Sequence, residues 1–133
     1  MKTALQSVIP YLILPVAFCA ATPVFAATLD AKAARSLISD RVWQQQRRTG
    51  SGFVYWYWKS DSSVCIRLED KNSKCDDTGH WKLDGDRLCF EITWYLKSAG
   101  GNSACFRISS QGEGRYEAIS DNGLTFFEFT VPK

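Results

Sequence analysis

Between Arg41 and Val131 the chain is cut into short apolar-rich runs by turn signals, and this punctuation constrains the fold more than any other feature. Gly50-Ser51-Gly52, Lys59-Ser60-Asp61-Ser62, Asp84-Gly85, Gly112–Gly114 and Asp121-Asn122-Gly123 each interrupt a run. Gly, Asn and Asp tolerate the backbone angles of tight turns, so each interruption reads as a reversal. The runs between them repeat with period two, as half-buried strands do. In Ser63–Glu69, Val64, Ile66 and Leu68 share one face and Cys65, Arg67 and Glu69 the other. In Asp86–Trp94, Leu88, Phe90, Ile92 and Trp94 form the expected core face, opposite Arg87, Cys89, Glu91 and Thr93. Ala104–Ser109 puts Phe106 and Ile108 inward, with Cys105 and Arg107 outward.

Arg41–Gln46 reads as a first strand with Val42 inward. Gly79–Leu83 and Asp86–Trp94 form a hairpin across Asp84-Gly85, and Arg115–Ser120 with Leu124–Val131 forms a last one. Asp70–Thr78 and Ser98–Ser103 are loops. Ahead of the strands, Thr28–Asp40 has helical spacing at Ala31, Ala34, Leu37 and Ile38, with Asp30 as N-cap. The expected fold is all-β, a small antiparallel meander of about seven or eight strands that forms a barrel or a sandwich behind a short N-terminal helix.

The first 26 residues read differently. Lys2 precedes an apolar stretch from Val8 to Ala21 that is interrupted by Pro10 and Pro15, and Val24-Phe25-Ala26 offers a cleavage site. The stretch is too short and too broken to span a bilayer, so it is expected to be a signal peptide cut after Ala26, with Ala21 as the weaker site. Phe18 before Cys19 argues against a lipoprotein. Residues 27–133 are then one exported domain, periplasmic or secreted. Of the 16 Lys and Arg only Lys2 lies in the leader, so the rest nearly balance the 14 Asp and Glu. With no run of one sign, a nucleic-acid partner is not expected.

Cys65, Cys75, Cys89 and Cys105 remain after cleavage and are expected to form two disulfides in an oxidising compartment. Three connectivities are open; Cys65–Cys75 with Cys89–Cys105 is preferred because each closes a short local loop. Zinc is disfavoured, since no CxxC pair exists and His80 is the only histidine. Asp70, Asp76 and Asp77 lack regular calcium-ligand spacing, so neither a metal nor a cofactor is expected.

Three segments together carry a family pattern. They are Gly50-Ser51-Gly52-Phe53-Val54-Tyr55-Trp56, then Thr78-Gly79-His80-Trp81 through Leu88-Cys89, then Ala104-Cys105-Phe106-Arg107-Ile108. This series resembles the short exported proteobacterial proteins grouped as domain of unknown function 995. Those have a G-x-G-aromatic opening, a central G-x-W strand, a Leu-Cys-aromatic strand and a later Cys-aromatic strand. The resemblance runs from about Val42 to the C-terminus and implies a Cys89–Cys105 disulfide, with Cys65–Cys75 as an addition. It implies no activity.

Little in the chain suggests catalysis. Cysteines held in disulfides are not nucleophiles, His80 stands alone at a strand start, and the Asp pairs at 76–77 and 84/86 occupy loops, where Asp serves backbone hydrogen bonding. Arg67 and Arg107 read as solvated partners of Glu69 and Glu91 rather than as an anion clamp. An enzyme is therefore not expected.

Phe53-Val54-Tyr55-Trp56-Tyr57-Trp58 is the densest run of β-formers and is apolar or aromatic on both faces. Something must cover the second face: the N-terminal helix, or else a ligand or partner. The favoured reading is a non-catalytic, monomeric binding module that holds an apolar or amphipathic ligand among Tyr55, Trp56, Tyr57, Trp58 and Trp94. The alternative is a protein-interaction or inhibitor module of the cell envelope that docks through exposed aromatics.

Overall fold

A computed structural model describes residues 26–133. The expected signal peptide lies outside these residues, apart from Ala26 at its end. Strand β1 is Ala27–Thr28, helix α1 is Ala31–Ile38, and β2 (Arg41–Gln46), β3 (Phe53–Trp58) and β4 (Ser63–Arg67) follow. Then come β5 (Asp77–Asp84), β6 (Arg87–Ile92), a 3-10 turn at Lys97–Ala99, β7 (Ser103–Gly112), β8 (Arg115–Ser120) and β9 (Thr125–Thr130). Each of β2 to β9 pairs antiparallel with the next, and β9 returns to β2 through Gln44 and Thr130. The meander is therefore a closed up-and-down barrel, which removes the free edges that an open sheet would expose. The short β1 pairs with the far half of β7, at Ser109 and Ser110, beyond the stretch of β7 that β6 covers.

Asp30 caps α1 as expected, accepting the Ala33 N–H at 2.8 Å. The helix is shorter than Thr28–Asp40 because Ala27 and Thr28 are drawn into the ladder with β7. It stops where Asp40 takes a left-handed conformation (φ 54°), one that a short polar side chain tolerates. The Asp40 carboxylate accepts from Ser60 N–H at 2.9 Å and its own N–H donates to Trp58 O at 2.8 Å, which turns the chain straight into β2. Ala34 and Ile38 are fully buried in the same cluster as Trp43, Trp56 and Trp58. The helix thus caps one end of the barrel and does not cover the outer face of β3, one of the alternatives left open for that face.

Two inward assignments change. On β2 the buried residue is Trp43, and Val42 is half-buried on the other face. Trp43 has the larger apolar area to remove from water, and its indole N–H is satisfied by Leu37 O at 2.8 Å. On β3 burial alternates after all: Val54, Trp56 and Trp58 point in, while Phe53, Tyr55 and Tyr57 point out. The interior is consequently a stack of rings. Trp43 lies over Phe129 at 3.8 Å between centroids, and Trp56 lies over Phe127 at 5.5 Å. An eight-stranded barrel is just wide enough for such side chains to fill it.

Both disulfides have the preferred connectivity, Cys65–Cys75 and Cys89–Cys105, and neither belongs to the interior cluster, although Cys65 is itself buried. Cys89 and Cys105 are direct partners across β6 and β7, with Cα atoms 4.0 Å apart. That alignment requires the long connection from Thr93 to Asn102.

Candidate functional site

The barrel's two ends differ. At the end capped by α1, Trp81 donates its indole N–H to Lys59 O at 2.9 Å and pins the β3–β4 turn. At the other end the loops 47–52, 93–102 and 121–124 surround a cavity of about 560 Å³. Val54, Trp56 and Phe127 lie at its base; Leu68, Tyr95, Leu96, Leu124 and Phe126 supply apolar lining, and Thr49, Ser98, Ser120, Asn122 and Thr125 supply polar lining. Gln45, the last inward side chain of β2, accepts the Trp56 indole N–H at 2.8 Å, so the polar edge of that ring is satisfied within the base. The volume falls in the range of small-molecule sites.

One wall depends on a buried carboxylate. Asp77, at the start of β5, accepts backbone N–H bonds from Thr78 at 2.8 Å, Thr93 at 3.1 Å, Trp94 at 2.8 Å and Tyr95 at 2.8 Å. Burial by itself opposes the charge, but these four donors together outweigh it and hold the carboxyl below its ordinary value. Capture of three successive amides ends β6 at Ile92, two residues earlier than the alternation suggests. Trp94 therefore leaves the core face and is 48% exposed, while Tyr95 turns toward the cavity and meets the Trp56 ring edge-on at 6.0 Å. Asn102 splints the same loop: its side chain accepts from Leu96 N–H at 3.1 Å and donates to Thr93 O at 2.7 Å.

The opposite wall comes from a bulge. Ala118 pairs with Phe127 and Ile119 with Thr125, so Phe126 is an extra residue in β9. It faces the same side as Phe127, within 6.4 Å of Phe90 and 6.3 Å of Phe106. Bulges re-aim side chains in this way and recur beside binding sites.

The charge at this end is one-sided. Arg47 and Arg48 are the charged residues around the cavity, and no carboxylate lines it among the described residues. Arg47 donates to the carbonyls of Leu68 and Phe53, and Arg48 to Phe126 O at 2.7 Å. Burial pushes the Tyr95 phenol above its ordinary value, and the two arginine charges pull it part of the way back.

Of the five aromatic residues proposed from the sequence, only Trp56 borders this cavity. Trp58 is buried in the core, stacked on Trp56 at 5.6 Å; Tyr55 and Tyr57 lie on the outer wall, and Trp94 sits on the loop outside. Arg67 lies over the Tyr57 ring at 5.6 Å. Arg107 pairs with Asp86 and Asp121 rather than with Glu91. His80 is exposed on the outer wall. Sequence reasoning missed Arg47, Arg48, Tyr95, Leu96, Leu124 and Phe126. The adjacent arginines in the β2–β3 turn were the one available signal.

The family model described as "Protein of unknown function (DUF995)" matches residues 11–130. The chain belongs to the DUF995 family. The three segments of the DUF995 pattern now have structural roles. Gly50-Ser51-Gly52 completes the turn that carries Arg47 and Arg48, and Leu88-Cys89 with Cys105-Phe106 forms the stapled pair of strands. Within the central G-x-W of this DUF995 chain, Gly79 allows β5 and β6 to approach closely, since a Cβ there would lie 1.8 Å from Glu91 O. No curated protein and no solved structure matches the chain.

Proposed function

We propose that this DUF995 protein is a non-catalytic binding module that takes an apolar or amphipathic small molecule into the open end of its barrel. The observation that carries the reading is the asymmetry of the ends: α1 caps one, while the other holds a cavity of about 560 Å³ lined by both apolar and polar residues. Absence of catalysis is supported by the chemistry present. The four mature cysteines are tied in disulfides, and the single histidine stands on the outer wall away from the cavity. The leader and the disulfides together support an exported location, periplasmic or secreted. Barrel closure, which leaves no long edge for strand exchange, supports a monomer.

Native mass spectrometry of the protein recovered without detergent from cells that export it tests this reading. A retained mass of small-molecule size is the expected result. A bare monomer that also fails to bind alkyl probes in titration would overturn it. A second reading, docking of an envelope protein, is favoured by the exposure of Leu124 (66%) at the opening and of Trp94 (48%) on the loop outside it. A co-migrating protein in place of a small mass would support that one.

A further inference from the structure

We propose that the ligand is a free single-chain amphiphile with an anionic head, the head meeting Arg47 and Arg48 at the rim and the chain lying along Leu68, Leu96, Leu124 and Phe126. This rests on the cavity being the binding site and specifies the chemistry it selects.

The rim is positive without compensation. Arg87 and Arg107, elsewhere on the barrel, are paired with Asp86 and Asp121, whereas Arg47 and Arg48 have no carboxylate partner among the described residues. Both donate to backbone carbonyls, those of Phe53, Leu68 and Phe126. A guanidinium has five N–H donors, so these bonds fix the two side chains in place and leave donors for an incoming anion. The carbonyls they hold belong to β3, to the segment after β4 and to the bulge in β9, three elements around one opening.

The apolar half is equally specific. Leu124, just before β9, is 66% exposed and lies on the cavity lining beside Phe126 and Leu96. Phe126 and Leu96 continue that surface inward to Tyr95, beneath which Trp56 is fully buried. A small inorganic anion would leave this surface wet, and a neutral hydrocarbon would desolvate the arginines without replacing their partners. An alkyl chain that ends in a carboxylate or sulfate satisfies both halves.

The test titrates the intact mature protein with octanoate, decanoate and dodecanoate below their micelle concentrations, read by tryptophan fluorescence and calorimetry. Matched alcohols and alkyltrimethylammonium ions run in parallel. Affinity should rise about fourfold per added methylene until the cavity is filled. The carboxylate should bind at least tenfold tighter than its alcohol, and the ammonium ion more weakly than either. Arg48→Gln should weaken carboxylate binding by a clearly larger factor than alcohol binding, and so shrink the ratio between the two. Arg47→Lys, which keeps the charge where Arg47→Gln risks unfolding the turn, should retain most of it. Added salt should shrink the preference.

Equal binding of carboxylate and alcohol would overturn the anionic specificity and leave the cavity reading standing. Binding of none of the probes would overturn both. Binding to anionic vesicles without binding of the monomeric probes would overturn the free-ligand assignment in favour of a membrane surface.

Discussion

The Asp77 carboxylate accepts the Tyr95 backbone N–H at 2.8 Å, so the first residue of β5 positions an aromatic wall on the far side of a long loop. It also takes the amides of Thr93 and Trp94. One buried charge therefore both ends β6 and builds the mouth of the barrel.

Asp77→Asn should cost about 2–3 kcal/mol, because the amide replaces a charged acceptor and aims an N–H at N–H donors. The Asp77 pKa is lowered in the folded state, so its stabilising contribution is complete above about pH 4 and is lost as pH falls through the lowered value. Urea denaturation at pH 7 and at pH 3 checks both parts: the difference between wild type and variant should be large at pH 7 and shrink toward acid. An unchanged midpoint at pH 7 would show that water replaces the carboxylate.

Gly79→Ala should be among the most damaging single substitutions, with a loss of more than about 3 kcal/mol or no soluble protein. Its Cβ would lie 1.8 Å from Glu91 O, a contact between two backbones that no rotamer change relieves. Gly85→Ala provides the contrast. Gly85 has φ of 62° and open space around it, so the cost is only the left-handed strain of about 1–2 kcal/mol. Thermal melts of the two variants side by side would decide; equal melting temperatures would contradict the close approach.

Oxidised protein of residues 27–133 should show no free thiol on labelling under denaturing conditions. Peptide mapping should recover Cys65 with Cys75 and Cys89 with Cys105. Replacing either pair with serine should cost about 3 kcal/mol, the chain-entropy expectation for loops of these lengths. Any labelled cysteine would remove the disulfide scheme.

His80→Ala should leave stability within about 0.5 kcal/mol of wild type and leave binding of the alkyl probes intact, since the side chain is exposed on the outer wall. A large loss of binding with the fold preserved would revive a chemical role for it.

Local pattern revealed the strands, most of their inward faces, the Asp30 cap and the positions of the turns, because period-two alternation and turn chemistry act over a few residues. Besides the Val42 assignment on β2, it fell short at three places for one shared reason. Trp94 continues the alternation of Leu88, Phe90 and Ile92, but the strand is ended by Asp77, a carboxylate contributed by the strand before it. Phe126 has the wrong parity for the interior, and a bulge opposite Ile119 turns it in. The double-faced run at Phe53–Trp58 conceals a plain alternation, which becomes visible only when Trp56 is seen against Phe127 and Trp58 against Trp43.

The sequence by itself determined an all-β domain with two disulfides and a helix ahead of the strands, since those features follow from neighbours along the chain. Only the tertiary structure decided that the sheet closes, that α1 caps one end and that the other end is open. Closure depends on pairing β2 with β9, two strands at opposite ends of the described domain, and nothing local encodes that contact. The mouth is likewise assembled from turns distant in sequence, so Arg47, Tyr95 and Phe126 become neighbours only once the barrel has brought its strand ends together.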